Sequence, residues 1–328
     1  MKAFLYRWMI RLTPLAAALL SGCNYAYPAP PSRPAAPSAF TRAPAALAAA
    51  TPAQVALGRA LFHDTRLSGD GSLSCASCHQ PELGFGDGRA TGVGIGGTKL
   101  KRHTPGLWNV GFAPALFVDG RAATLEEQAL MPVANPDEMG ADPAKVAARL
   151  AADPAMRARF AAAFPGGPAV TPATMARAIA AYERTMVSGA APFDRWAAGS
   201  AGSMAPAAVR GYALFAGRAG CARCHNGWAL SDGKYHDVGL PDTDPGRGAI
   251  TGRRRDDHAF RTPSLREIGR APPYMHDGSL PSLAAVVDHY ADGVVARRGA
   301  PARVALTAAE RRDLVAFLEA LDSDAVVH

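Results

Sequence analysis

The sequence predicts an all-α protein built from two related helical halves. Three landmarks recur in the same order, namely Gly-x-Ala-Leu-Phe, Thr-Pro and Asp-Gly. Each Asp-Gly pair begins fifteen residues after the threonine of its Thr-Pro pair, and a leucine follows each aspartate by six residues. No segment of any length alternates apolar and polar residues in the way of a half-buried strand. Equal spacing across several landmarks indicates an internal duplication. The paired landmarks begin at Gly58 and Gly211, Thr104 and Thr262, Asp119 and Asp277, and Leu125 and Leu283.

Helix-start signals and apolar periodicity support the individual helices in chain order. Thr51 followed by Pro52 is typical of a helix start, and the segment from Ser203 to Phe215 repeats that pattern. Helices are also expected to begin near Leu125 and Leu283, at matching places in the two halves. Amphipathic spacing predicts three more helices, over Val146 to Phe160, Met175 to Met186 and Leu306 to Leu321.

The first fifty residues differ in composition from the helical part. Residues 1–22 have a basic start and an apolar run, and the segment Leu20 to Cys23 resembles the end of a bacterial lipoprotein signal. That resemblance implies cleavage before Cys23 and acylation of this cysteine. Residues 23–50 are rich in Pro and Ala, which favours an extended tether. We therefore expect two folded domains after the linker, over residues 51–200 and 201–328.

Charge and hydropathy exclude some partners. The formal net charge of +7 falls to +4 once Lys2, Arg7 and Arg11 leave with the signal, which is too small to indicate nucleic-acid binding. Beyond the signal, no apolar stretch approaches the roughly 20 residues that span a bilayer. We therefore expect the lipid on Cys23 to be the only membrane attachment.

Two copies of Cys-x-x-Cys-His carry the strongest chemical signal in the chain. This spacing is the one at which haem c is attached: both cysteines bond to the haem vinyl groups, and the histidine is the proximal ligand of the iron. The sequence therefore predicts two covalently bound haems c. The two motifs are Cys75, Cys78 and His79, and Cys221, Cys224 and His225.

The cofactor also indicates the cellular compartment. Haem c is attached outside the cytoplasm, in agreement with an export signal, and we expect a lipid-anchored protein in the periplasm. Asn24 follows the modified cysteine, where an aspartate is associated with retention at the inner membrane. This favours the outer membrane over the inner one.

The duplication also predicts a difference between the two haems. Leu283, Val286, Val287 and Tyr290 share one face of a helix, so Tyr290 is a candidate sixth ligand of the second iron. At the repeat offset of 158 residues the first half has Pro132, which cannot ligate iron. The first iron is therefore expected to have an open position for peroxide or oxygen. Two other hypotheses remain open. Met275 could be the sixth ligand of the second iron, or Tyr290 could be an ordinary buried core residue.

Glu126 is the candidate acid and base beside the open haem. Cleavage of a peroxide O–O bond needs a group that removes a proton from one oxygen and returns it to the other, and a carboxylate can do this. The repeat partner of Glu126 is Ala284, so the second half lacks the carboxylate. The alternative is that Glu126 and Glu127 only stabilise the start of a helix through its dipole.

Several longer segments resemble the bacterial di-haem cytochrome c peroxidase family. They are LFHDTRLSGDGSLSCASCHQPELGFGDG, DGRAATLEEQA, CARCHNG, FRTPSLREIG and PYMHDGSLPSLAAVVDHY, and they cover most of the chain from Thr51 to Leu321. The resemblance implies a periplasmic protein of two cytochrome c-like domains. It implies that the N-terminal haem reacts with hydrogen peroxide, that the C-terminal haem passes electrons to it, and that a calcium ion lies between the domains. The family's distal glutamate falls on Glu126, and its electron-relay tryptophan on Trp108. The alternative for Trp108 is a plain core residue.

The chain also departs from the classical peroxidases of that family. In those proteins a methionine ligand lies fourteen residues after the histidine of the His-Asp-Gly motif, and fourteen residues after His276 this chain has Tyr290. Tyrosine at this place resembles the MauG-like branch, whose members oxidise a side chain of a partner protein. A phenolate favours ferric iron and lowers its potential relative to a thioether. His103 occupies a position where asparagine is common in the family. Its two possible roles are sixth ligand of the resting first haem and loop residue exposed to solvent.

Three functions follow as hypotheses. The first is a peroxidase that takes electrons from a protein donor, such as a small cytochrome c or a cupredoxin. The second is a MauG-like oxidase whose donor is itself the protein substrate. The third is a di-haem electron carrier without catalysis, which peroxide-dependent turnover would exclude.

Overall fold

The computed structural model describes residues 49–167 and 170–324, and all of them belong to one compact unit. Helices dominate, and turns and short 3₁₀ segments connect them. The helices are α1 Pro52–Phe62, α2 Cys75–Cys78, α3 Leu125–Ala129, α4 Met131–Ala134, α5 Pro143–Ala151, α6 Pro154–Ala163, α7 Pro172–Glu183, α8 Pro192–Ala197, α9 Pro206–Ala216, α10 Gly248–Thr251, α11 Leu283–Asp288 and α12 Ala308–Glu319.

The first half is built on the crossing of α1 and α7. Thr51 caps α1 as expected, because its hydroxyl accepts from the Gln54 amide and the Gln54 side chain accepts from the Thr51 amide. Gly58 lies at the crossing, where any Cβ would collide with the carbonyl oxygen of Ala178. The glycine therefore lets two helix backbones touch. Leu57 and Leu61 of α1 are buried with Ile179 of α7 in the hydrophobic core of this half.

The second half repeats this arrangement with α9 and α12. Gly211 lies at the crossing, and a Cβ there would collide with the Asp313 carbonyl oxygen. The second core contains Tyr212 and Phe215 of α9 together with Phe317 of α12. The two glycines that open the repeated Gly-x-Ala-Leu-Phe segments thus have the same physical role.

Backbone conformation confirms the repeat at an offset of 158 residues. Residues in the left-handed region of φ occur in matched pairs in the loops before α3 and α11, and each loop closes with one antiparallel bridge. The bridges join Leu116 to Ala122 and Tyr274 to Leu280. The matched residues with positive φ are Asn109 and Glu267, Phe117 and Met275, and Gly120 and Gly278.

Two expectations from the sequence were wrong in detail. The segment Val146 to Phe160 forms two helices, because Asp153 caps α6 with its carboxylate and Pro154 begins that helix. A small antiparallel ribbon is also present, in which β1 Tyr235–Asp237 pairs with β2 Ala259–Arg261. Its strands have only three residues each, too few for a period of two to be visible in the sequence.

The predicted signal, Cys23 and all but the last two residues of the linker lie outside the described residues. Within the described part, no helix has the length and apolarity required to cross a membrane. The other predicted helices are present, and the one expected from Ser203 begins at Pro206 without a side-chain cap. Thr124 and Ser282 cap α3 and α11, which begin at Leu125 and Leu283 as expected.

Candidate haem sites

The first Cys-x-x-Cys-His motif is a single turn of helix followed by its histidine. Cys75 and Cys78 begin and end α2, and His79 follows at its C-terminus. The Nδ1 atom of His79 lies 2.8 Å from the carbonyl oxygen of Phe85. A carbonyl can only accept, so Nδ1 carries the ring proton and the lone pair is on Nε2. His79 therefore has the tautomer that binds a metal through Nε2.

The second motif repeats this geometry. Cys221 begins a 3₁₀ turn, and the Nδ1 atom of His225 lies 2.9 Å from the carbonyl oxygen of Leu230. Leu230 and its counterpart Phe85 both adopt positive φ, which turns each carbonyl toward its histidine. Both imidazoles are thus oriented by the loop that follows the motif.

The residues at both motifs fit a covalently bound haem. Among the described residues none of the four cysteines forms a disulfide, so each sulfur is available. Burial raises the pKa of Cys75 to about 12 and that of Cys221 to about 11, which disfavours the thiolates that a zinc or redox site needs. Burial also lowers the pKa of His79 and of His225, which keeps both imidazoles neutral.

Trp108 lies against the first motif. Trp108 and Cys75 both pack against a buried cluster that contains Phe62 and Phe85, and the Trp108 ring meets that of Phe85 edge to face at 5.3 Å between centroids. Its indole Nε1 is buried and has no hydrogen-bond partner among the described residues. Because a buried N–H is costly without an acceptor, this atom fits a site in which a bound haem would supply one.

Glu126 of α3 is ion-paired with Arg184, a residue that the sequence analysis did not identify. The Arg184 Nη1 atom lies 2.8 Å from Glu126 Oε1, and Nη2 donates to Oε2 at 2.9 Å. This pairing lowers the pKa of Glu126 and holds it ionised. Glu127 instead accepts from the Ala123 amide at 2.8 Å. Both glutamates thus lie in the first turn of α3, and Glu126 differs from Glu127 in its pairing with Arg184.

Tyr290 lies in a π-helical turn, His289–Gly293, that continues α11. Leu283, Val286 and Val287 pack in the second core together with Cys221, as the predicted helix face requires.

Burial raises the pKa of Tyr290, and Cys221 and Cys224 lie close enough to raise it further. Its hydroxyl makes no hydrogen bond to any described residue. Tyr290 is therefore placed beside the second attachment site, and Pro132 in α4 holds the matching place in the first half.

Two other candidates lie in loops. Met275 adopts a φ of 73° directly before His276, and its counterpart in the first half is Phe117. The His103 Nδ1 atom lies 2.9 Å from the Arg89 carbonyl oxygen, so only Nε2 of that ring is left for a metal.

Comparison with known proteins agrees with this geometry. The family described as di-haem cytochrome c peroxidase matches residues 52–202. The methylamine utilization protein MauG of Methylorubrum extorquens is 46% identical over 283 residues, which cover 84% of this chain and 79% of that protein. The chain belongs to the di-haem cytochrome c peroxidase family. It is therefore an oxidoreductase of the peroxidase class with a pair of c-type haems.

Other relatives of this di-haem peroxidase include both named branches. The cytochrome-c peroxidase IdrP1 of Denitromonas iodatirespirans is 38% identical and covers 84% of this chain and 83% of its own length. The crystal structure of a MauG-like protein associated with microbial copper homeostasis has a TM-score of 0.77 and 34% identity, and the match covers 92% of this chain and 96% of that one.

Within the di-haem peroxidase, polar and aromatic contacts join the two halves. The Arg102 guanidinium lies 2.6 Å from Asp119 in the first half and 2.8 Å from Asp244 in the second. Phe112 meets Trp228 edge to face at 5.1 Å between centroids. Trp228 follows the second motif by three residues, so this aromatic contact joins the first half to the region of the second motif.

Proposed function

We propose that the chain reduces hydrogen peroxide at the first haem site, with electrons that reach it through the second site from a protein donor. The observation that carries this proposal is the asymmetry of the duplicated halves. The first half has the Glu126 carboxylate paired with Arg184, where the second half has Ala284. The second half has Tyr290 as a candidate ligand, where the first half has Pro132.

The residues of the first site supply acid and base chemistry. A bound haem would supply the iron and its electrons, with His79 as the proximal ligand. Reduction of one peroxide consumes two electrons and two protons, breaks the O–O bond and yields two waters. Glu126, held ionised by Arg184, accepts a proton from one peroxide oxygen and returns it to the other. Arg184 fixes the plane of the carboxylate through its two hydrogen bonds.

Tyr290 favours a second candidate function, oxidation of a side chain on a partner protein. Burial alone favours the neutral phenol of Tyr290, so ionisation needs the charge of a ferric ion. A tyrosinate ligand would lower the potential of the second haem and make it a poor acceptor of electrons from an ordinary cytochrome c. The 46% identity to a MauG protein supports this alternative. In both candidates peroxide reacts first at the same site.

Peroxide-dependent turnover of the purified holoprotein tests the proposal. With a reduced small cytochrome c or cupredoxin as donor, Glu126→Gln should slow turnover by roughly 100-fold or more, the usual scale for loss of an acid and base group. Glu127→Gln is the matched control and should turn over normally. Absence of turnover in the unaltered protein, with every donor including a protein substrate, would leave the plain electron carrier as the function.

We also propose a calcium ion between the halves. Among the described residues, the only group of three His, Cys, Asp or Glu side chains with ligand spacing is Cys224, Asp232 and His236, at the second haem motif. A calcium ion between the halves would therefore have at most two carboxylate ligands from the described residues, with carbonyl and water oxygens as the others. Metal analysis before and after chelation, with turnover as the readout, tests this proposal.

For localisation, we propose a periplasmic protein anchored through an acylated Cys23, with the outer membrane as the favoured site. Cys23→Ala should then release the protein from the membrane fraction or leave it unprocessed. Unchanged membrane fractionation of that variant would contradict the anchor.

A further inference from the structure

Glu183 is a buried carboxyl group without a hydrogen-bond partner in the part of the chain that the structure describes. It is the last residue of α7 and is only 5% exposed. Its carboxyl oxygens accept no hydrogen bond from any described residue, and Oε2 is fully enclosed. An isolated carboxylate in such surroundings is costly, so the side chain holds its proton instead.

The groups around Glu183 lie on three elements of the first half. Arg184 follows it in the chain and favours its ionised form, whereas Glu126 on α3 disfavours it. Cys75 on α2 is the third titratable group that interacts with it, because Glu183 raises the pKa of that thiol. Glu183 thus directly precedes the arginine that pairs with Glu126, and it interacts electrostatically with Glu126 and with Cys75.

The surroundings of Glu183 and of Glu126 shift the pKa values of the two carboxyl groups in opposite directions. Arg184 pairs with both oxygens of Glu126 and lowers its pKa, whereas burial raises the pKa of Glu183 from its ordinary 4.5 to about 8. At neutral pH one carboxyl group is therefore a base without a proton, and its neighbour is an acid with one. Two titratable groups whose environments separate their pKa values in this way are the usual sign of an acid and base pair.

We propose that Glu183 is the proton donor behind Glu126 in the first haem site, and that Arg184 positions the acceptor between turnovers. This proposal rests on the proposed peroxide reduction. Each turnover needs two electrons from the protein donor and two protons. Glu183 gives the proton of its O–H bond toward Glu126 and peroxide, becomes a carboxylate, and takes a proton from solvent before the next turnover. Glu126 alone has no proton to donate at neutral pH, because Arg184 holds it ionised.

Glu183→Gln is the variant that tests this role, because it keeps the shape of the side chain and removes its transferable proton. We expect kcat with peroxide to fall about 10-fold or more at pH 7, less than for a group in direct contact with peroxide. The alkaline limb of the pH profile, expected near pH 8, should disappear. Glu183→Asp should restore part of the rate, and Glu127→Gln should leave rate and profile unchanged.

Infrared spectroscopy gives a readout that does not depend on turnover. The unaltered holoprotein should show the C=O band of a protonated, buried carboxylic acid that titrates near pH 8, and Glu183→Gln should lack it. Haem content and optical spectrum should be the same in both. Absence of that band from the unaltered protein, or its survival in Glu183→Gln, overturns the proposal.

The outcomes also separate this proposal from the proposed function. A normal pH profile in Glu183→Gln beside an inactive Glu126→Gln removes Glu183 from proton delivery and leaves peroxide reduction standing. If Glu183→Gln does not fold, the pH profile of Glu183→Asp and the infrared titration of the unaltered protein decide the question. Absence of peroxide turnover in the unaltered protein overturns both.

Discussion

Arg184 contacts both carboxylate oxygens of Glu126, with Nη1 2.8 Å from Oε1 and Nη2 2.9 Å from Oε2. The two residues are 58 positions apart in the chain and meet because α7 packs against α3. Two parallel hydrogen bonds fix the direction of a carboxylate as well as its charge. Only the first half has this pair, since the counterpart of Glu126 is Ala284.

Removal of the guanidinium should shift the pH dependence of peroxide reduction. Glu126 has its pKa lowered by Arg184, so its base form persists to a lower pH than in an unpaired glutamate. In Arg184→Gln the pKa of Glu126 rises, and the acid limb of kcat/KM should move to higher pH. Arg184→Lys keeps the charge and should retain part of the effect. An acid limb at the same pH in all three proteins would contradict control of Glu126 by Arg184.

Tyr290 should determine the spectrum and potential of the second haem. The ferric protein should contain one high-spin haem and one low-spin haem with tyrosinate character, because only the second half offers this ligand. Tyr290→Met should raise the potential of that haem, since a thioether stabilises ferrous iron relative to a phenolate. Met275→Leu is the control and should leave ligation intact. An unchanged optical spectrum in Tyr290→Phe would transfer the ligand role to Met275.

Each Cys-x-x-Cys-His motif should hold its haem independently. Mass spectrometry of the exported protein should show two haem additions, one through Cys75 and Cys78 and one through Cys221 and Cys224. Replacement of both cysteines of one motif by alanine should remove one addition and leave the other. A single addition in the unaltered protein would contradict the assignment of two haems.

Gly58 should be required for the packing of α1 on α7. A Cβ at this position collides with the Ala178 backbone, which cannot move without displacing its helix. Gly58→Ala should therefore lower the free energy of unfolding by about 1–3 kcal/mol, the usual cost of overpacking. Gly202→Ala is the matched control, because nothing lies within 4 Å of its Cβ position and its φ is not positive. It should change the free energy of unfolding by no more than about 0.5 kcal/mol. Urea titration of the two holoprotein variants measures both values.

Local chemistry explains the parts of this protein that the sequence predicted well. The two haem motifs are five contiguous residues each, and the histidines are oriented by carbonyl oxygens only five or six residues away. The caps of α1, α3 and α11 depend on a hydroxyl and an amide three residues apart. The repeat at an offset of 158 needs only equal spacing along the chain. The motifs and caps are encoded within a few residues and the repeat in spacing along the chain, so the amino-acid sequence is enough to find them.

Tertiary packing decided the remaining features of the candidate site. Nothing in the sequence around Glu126 indicates its pairing with Arg184, because the contact forms only when α3 and α7 pack together. The sequence around Glu183 likewise reads as the polar end of a helix, and its burial depends on the elements that enclose it. The charge state of a carboxyl group is set by its surroundings, which are brought together from distant parts of the chain. The sequence therefore determined which residues can bind two haems, and the fold decided that Glu126 is paired with an arginine while Glu183 is buried.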